Sequence, residues 1–179
     1  MTLSQRYGRA SIALHWITLA LLVGVYACIE LREIFPRGSE PREALKMWHF
    51  MLGLSVFFVV WLRLAARFLG TTPPIIPPAA KWQAVVAVVV EFALYALMIV
   101  LPLLGWLTLS AEGKTIPFFG LQLPALIAQN EQLAHRTEEL HETLATAGYF
   151  LIGLHAAAAL FHHYVRRDNT LERMLPSRH

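Results

Sequence analysis

The sequence predicts an all-α protein, a four-helix transmembrane bundle with both termini in the cytoplasm. Of its 179 residues, 56% are hydrophobic and 15% are charged, and the mean hydropathy is +0.50. This composition is too apolar for a soluble domain of this size and predicts a polytopic membrane protein. We expect a single domain over residues 1–179. The distribution of its basic residues predicts how the bundle is oriented in the membrane.

Four apolar segments are long enough to cross about 30 Å of hydrocarbon at about 1.5 Å per residue. They cover residues 10–29, 48–69, 82–109 and 141–165. Arg6 and Arg9 precede the first segment, as in a signal peptide, but no small-residue cleavage site follows, so we expect a retained helix. Cys28 is the only cysteine, which excludes an internal disulfide and disfavours a thiolate metal site.

Basic residues are distributed unequally between the two sides of the predicted bundle. With the N-terminus inside, the inner segments carry Arg6, Arg9, Arg63, Arg67, Lys81, Arg166, Arg167, Arg173 and Arg178. The outer segments carry Arg32, Arg37, Arg42, Lys46, Lys114 and Arg136, together with most of the glutamates. Because short basic loops stay in the cytoplasm, this excess predicts that both termini lie there. The basic pI of about 9.3 therefore reflects topology, and we expect no nucleic-acid partner.

The loops carry helix-breaking and helix-forming signals. The first outer loop predicts a turn followed by a helical lead-in to the second span, and the inner loop GTTPPIIPPAAK predicts an extended strap. Pro102 predicts a kink in the third span. In the second outer loop, PALIAQNEQLAHRTEEL places apolar residues at helical intervals, which predicts an amphipathic helix on the outer surface.

The fourth span is apolar, yet it contains or borders several histidines, and an unpartnered polar group in lipid is costly. His141 and His155 are 14 residues apart, which puts them within about 40° of one helix face and about 21 Å apart along the axis. His15 lies near the inner end of span one, and His49 opens span two on the outer side. The depths therefore match in pairs, His15 with His155 and His49 with His141.

Two histidine pairs at two depths can clamp two haems, each iron held by an imidazole from each of two helices. The chain has no C-x-x-C-H motif, so the haems would be of the non-covalent b type. A single interfacial histidine is usually solvated, but four at matched depths favour metal or haem. The separation of the pairs excludes one shared metal site. A zinc site or proton pathway would favour nearby carboxylates, and Glu91 is the only one deep in a span.

Several segments resemble a known family. They include RYGRASIALHWITLALLVGVYA, WHFMLGLSVFFVVWLRLAARF, LYALMIVLPLLGWL and HETLATAGYFLIGLHAAAALFHHYVRRDNTLERMLP. They are similar to the bacterial inner-membrane di-haem cytochrome b561 family, in its superoxide oxidase branch, over nearly the whole chain. This resemblance implies two haem b groups and oxidation of superoxide to oxygen, with ubiquinone as electron acceptor. It also implies His15, His49, His141 and His155 as haem ligands, the same set that the depths indicate.

The expected reaction places superoxide at the outer haem, held by His49 and His141, because an anion does not readily cross lipid. Lys114 is the proposed catalytic cation there. Arg32, Arg37 and Lys46 are further candidates, and all four are typical of a solvated rim.

The quinone site is expected near the inner haem. His162 lies about 20° from the face of His155, and Glu91 occupies a position where the family often has histidine. Both are predicted quinone partners, although His162 is also typical of an interfacial helix end.

Two other functions remain open from the sequence. One is a di-haem electron-transfer subunit that links a partner dehydrogenase or hydrogenase to the quinone pool, with that protein redox partner docked on residues 110–140. The other is a haem-free metal or proton carrier. Under every alternative the chain is surrounded by membrane lipid.

Overall fold

The computed structural model describes residues 6–176, and Arg178 and both extreme ends lie outside that range. Four long helices account for most of the chain: α1 (Arg9–Leu31), α2 (Glu40–Leu69), α3 (Lys81–Ala111) and α4 (Glu131–Phe161). Each is long and apolar enough to span a membrane. The all-α four-helix transmembrane bundle is confirmed.

The helix boundaries follow local sequence signals. In α2, Pro41 lies in the first turn, where its missing N–H costs nothing, and Gly70 ends the helix. This is the predicted helical lead-in, which extends α2 by two turns before the apolar span. The proline-rich residues 71–80 form no helix or strand, as predicted. Helix α3 continues through Pro102.

The predicted surface amphipathic helix over residues 124–140 is wrong for residues 124–130, which form no helix, whereas residues 131–140 are helical but form the start of α4. Just before that stretch, residues 116–123 form an antiparallel hairpin of β1 (Ile116–Phe118) and β2 (Leu121–Leu123). Helix α4 begins only at Glu131, where the Asn130 side chain accepts a hydrogen bond from the Leu133 N–H. Residues 124–130 are held instead by the end of α3. Trp106 donates to the Pro124 carbonyl, and Ser110 accepts from the Leu126 N–H. Leu133 and Leu140 therefore belong to an outward extension of α4.

The helices pack in the order α1 with α2, α2 with α3, and α3 with α4. Val56 and Val60 of α2 pack with Met98 of α3 in one buried cluster, and Leu54, Leu109 and Ile116 form a second cluster beneath the hairpin. Outside these contacts, apolar side chains cover the exposed faces. Val85, Val89 and Phe92 of α3, for example, are 63%, 61% and 74% exposed. This outer surface is suited to lipid rather than water.

Candidate haem sites

His49 of α2 and His141 of α4 face each other near the hairpin end of the bundle, which is the predicted outer end, with ring centroids 6.2 Å apart. His49 Nδ1 lies 3.0 Å from the Val25 carbonyl. Because a carbonyl only accepts hydrogen bonds, Nδ1 carries the proton and Nε2 keeps its lone pair. This is the arrangement that a metal-ligating histidine adopts.

His15 of α1 and His155 of α4 form the second pair, with ring centroids 6.3 Å apart. Here Nη2 of Arg63 lies 3.2 Å from His15 Nδ1, and a guanidinium can only donate. Nδ1 of His15 is therefore an acceptor in this structure. Iron binding through Nε2 needs the tautomer with the proton on Nδ1, so the hydrogen bond from Arg63 to His15 Nδ1 would have to break.

The spacing of both pairs fits one iron between two imidazoles. Two iron–nitrogen bonds of about 2 Å, with each ring centre about 1 Å beyond its nitrogen, separate the centroids by about 6 Å. Among residues 6–176, no group of three or more His, Cys, Asp or Glu side chains converges as a metal site. The outer pair therefore fits haem by spacing and tautomer, and the inner pair fits it by spacing.

A cavity of about 470 Å³ adjoins the outer pair and is lined by His49 and His141. Its size lies in the usual range of cofactor pockets, about 300–1,000 Å³. Gly53, Gly105 and Gly148 form parts of its wall, and a Cβ on Gly105 would lie 3.5 Å from His141 Cε1. The buried Nδ1 of His141 makes no hydrogen bond with the described residues. Small walls and an orphaned ring nitrogen fit a flat, metal-centred ligand.

Comparison with known proteins identifies the family. A model described as prokaryotic cytochrome b561 matches residues 6–177. The chain belongs to the prokaryotic cytochrome b561 family.

The relatives of this cytochrome b561 chain cover nearly its whole length. It is 39% identical to cytochrome b561 homolog 1 of Escherichia coli K12, over 97% of this chain and 99% of the relative. It is 37% identical to probable superoxide oxidase CybB of Yersinia pestis, over 97% and 98%. It is 31% identical to cytochrome b562 of Cereibacter sphaeroides, over 99% and 100%. The chain is thus a multi-pass bacterial membrane protein of a haem b electron-transfer family.

The mouth of the outer cavity carries charges of both signs. Arg32, Lys46 and Lys114 line it, as do Glu30, Glu112, Glu138 and Glu142, whereas Arg37 does not. Lys114 is exposed, and its Nζ lies 3.0 Å from Glu112 Oε2. The structure therefore brings Lys114 to the same cavity as His49 and His141, but as half of an ion pair.

Glu91 lies in a different cavity from the outer pair. Its Oε1 accepts from Arg67 Nε at 3.1 Å, and both side chains border a polar cavity of about 50 Å³ together with Arg63 and Tyr95. This volume holds one or two waters and is far smaller than a quinone ring requires. Arg63 also stacks over the Tyr95 ring at 5.4 Å. Sequence reasoning treated Arg63 as a cytoplasmic flank, although an arginine inside a span is itself a signal of function.

His162 is held by a partner that sequence reasoning missed. Its Nδ1 lies 2.5 Å from Oδ2 of Asp168, a buried carboxylate. Burial disfavours the charge on Asp168, but hydrogen bonds from Thr170 and His162 outweigh it and hold the Asp168 pKa below its usual value. His162 does not line the cavity that contains Glu91. The structure therefore does not bring the two predicted quinone partners into one cavity.

Proposed function

We propose that this chain is a superoxide:ubiquinone oxidoreductase of the bacterial inner membrane with two haem b groups. The observation that carries the proposal is the pair of facing imidazoles at each of two depths, with centroids 6.2 and 6.3 Å apart. A relative named probable superoxide oxidase, 37% identical over 97% of the chain, supports the choice of substrate.

His49 and His141 would hold the outer haem, and His15 and His155 the inner one. When bound, haem iron supplies one-electron transfer. Helix α4 contributes one ligand to each pair, so a single rigid helix sets the distance between the two sites, about 21 Å along its axis. Two superoxide anions give two molecules of oxygen and two electrons. Ubiquinone takes up those electrons with two protons to form ubiquinol.

The outer cavity is the proposed entry for superoxide. Lys114, Arg32 and Lys46 lie at its mouth and would attract an anion, while the nearby glutamates confine that attraction to short range. In this role Lys114 guides and orients superoxide beside the His49 and His141 pair.

The inner half would bind ubiquinone beside His155, whose side chain is exposed. Glu91 would serve as a proton donor through the small polar cavity, since a carboxylate in a span is a functional candidate. His162, fixed by Asp168, would contact the quinone from the end of α4. The proposed orientation places this half, with both termini, on the cytoplasmic side, where protons are available.

Anaerobic stopped-flow mixing of the oxidised protein with superoxide tests the function. We expect rapid reduction of the haem bands and catalytic turnover once ubiquinone is added. Bands that stay oxidised with superoxide but are reduced by ubiquinol would contradict superoxide oxidation and favour the electron-transfer subunit. Pyridine haemochrome analysis should give two haem b per chain. A colourless protein would favour the haem-free carrier.

A further inference from the structure

The chain beyond α4 turns back across the inner end of the bundle. After a single π-helical turn over His162–Arg166, Arg167 adopts a left-handed conformation with φ of 54° and reverses the chain. We call residues 167–176 the inner clasp. Apart from Asp168, which fixes His162, its residues have no part in the proposed electron path, yet the clasp makes hydrogen bonds to three separate parts of the bundle.

The first set of contacts joins the clasp to the loop between α2 and α3. The Asn169 N–H donates to the Ile76 carbonyl at 3.1 Å, and the Ile76 N–H donates to Asn169 Oδ1 at 2.8 Å. Asn169 Nδ2 also donates to the Pro74 carbonyl at 3.3 Å, and Arg173 Nη1 donates to the Pro73 carbonyl. One asparagine therefore satisfies three polar groups of a proline-rich loop that makes no regular structure.

The second set joins the clasp to α1. Trp16 Nε1 donates to the Met174 carbonyl at 2.8 Å, and the Tyr7 N–H donates to the Arg173 carbonyl at 3.1 Å. The Arg173 guanidinium also lies over the Tyr7 ring at 5.4 Å. Trp16 is the neighbour of His15, and their rings meet edge to face at 5.5 Å. A continuous chain of contacts thus runs from the clasp to a proposed inner ligand.

The third set joins the clasp to α4. Asp168 pairs with His162, two turns beyond His155, and its N–H donates to the His162 carbonyl at 3.1 Å. Among the described residues, the direct hydrogen bonds between α1 and α4 are those of Tyr26 with Ala145 and of Tyr149 with Glu30, toward the opposite end of the bundle. The two helices that carry the inner ligands are therefore joined at this end through the clasp.

We propose that the inner clasp positions His15 against His155 and so retains haem b at the inner pair. Asn169, Asp168 and Arg173 are its positioning residues, which act through Trp16 and His162. The proposal rests on the two-haem function above. The outer pair is independent of the clasp, because α2 and α4 reach His49 and His141 at the opposite end of the bundle.

Asn169→Ala in the full-length purified protein tests the proposal, with Glu172→Ala as control. Glu172 lies on the same segment, but its side chain is exposed and makes no hydrogen bond or ion pair within the described range. We expect Asn169→Ala to lower the haem-to-protein ratio from two toward one and to remove one of two low-spin signals in electron paramagnetic resonance. Glu172→Ala should leave both signals unchanged.

Trp16→Phe removes a single hydrogen bond and keeps a large aromatic ring. We expect it to shift the signal and midpoint potential of the same haem that Asn169→Ala affects, without changing the other. Two unshifted haems in both variants would overturn the proposal. So would parallel loss of both haems, since that marks a general loss of fold. A wild-type protein with fewer than two haems would instead refute the two-haem function itself.

Discussion

His49 is the residue whose surroundings bear most directly on ligation. Its Nδ1 donates to the Val25 carbonyl, so Nε2 keeps its lone pair, and the ring centroid lies 6.2 Å from that of His141. A histidine in a soluble core is usually satisfied by two hydrogen bonds, whereas this ring has one and faces another imidazole. Replacing His49 is therefore expected to affect only the haem proposed at the His49 and His141 pair.

We expect His49→Ala to reduce haem content by about half and to abolish reduction by superoxide, while the inner haem remains reducible by ubiquinol. Removing one of two protein ligands leaves iron without its axial partner. His163→Ala is the control, because His163 meets the Tyr164 ring edge to face near the end of α4 and belongs to neither pair. Haem quantification and visible spectra measure the result, and an unchanged haem content in His49→Ala would contradict the assignment.

Asp168 is buried and accepts hydrogen bonds at both carboxylate oxygens. Its pKa is lowered in the folded state, so its stabilising effect is present above its unfolded value of 3.8 and is lost as the pH falls through the lower folded value. At pH 7 we expect Asp168→Asn to cost about 1–3 kcal/mol. Thermal unfolding in detergent from pH 7 to 3 should show the two proteins converging only below about pH 4. A constant difference down to pH 3 would argue against this role.

At the scale of the element, α4 combines a tightly packed face with an open one. A Cβ on Gly148 would lie 2.5 Å from Tyr26 Oη, whereas a Cβ on Gly153 would meet nothing within 4 Å. Tyr26 itself donates to the Ala145 carbonyl at 3.0 Å. Gly148 therefore allows α1 to approach α4 beside the outer cavity.

We expect Gly148→Ala to destabilise the protein by about 1–3 kcal/mol, because the added methyl displaces Tyr26 from its hydrogen bond. Gly153→Ala should be neutral or slightly stabilising, since alanine favours helix. Melting temperatures and outer-haem spectra of the two variants provide the comparison. Equal effects of the two substitutions would show that local packing at Tyr26 is unimportant.

At the scale of the whole molecule, the charges of the outer face determine how an anion arrives. We expect Lys114→Gln to lower the rate of haem reduction by superoxide about two- to five-fold at low salt, and less at high salt, because screening weakens the attraction. Arg37→Gln is the matched control, since Arg37 is an outer cation that does not line the cavity. Equal slowing by both variants would mean that total charge matters more than position.

The orientation of the bundle is a separate prediction. Because basic residues dominate the segments at the helix ends beside the clasp, we expect a fluorescent protein fused to the C-terminus to fluoresce and a fused alkaline phosphatase to be inactive. The reverse pattern would exchange the superoxide and quinone sides of the proposal.

The sequence alone determined the four-helix bundle, because apolar segments of sufficient length have few alternatives in a bilayer. It also paired His15 with His155 and His49 with His141, because depth along a straight helix follows from residue count. Tertiary structure decided three features that residue spacing does not encode: the hairpin at residues 116–123, the ion pair between Arg67 and Glu91, and the pairing of Asp168 with His162. Each depends on contacts between residues distant along the chain or on a local reversal of its direction. Such contacts are fixed by packing of the whole bundle rather than by the local pattern.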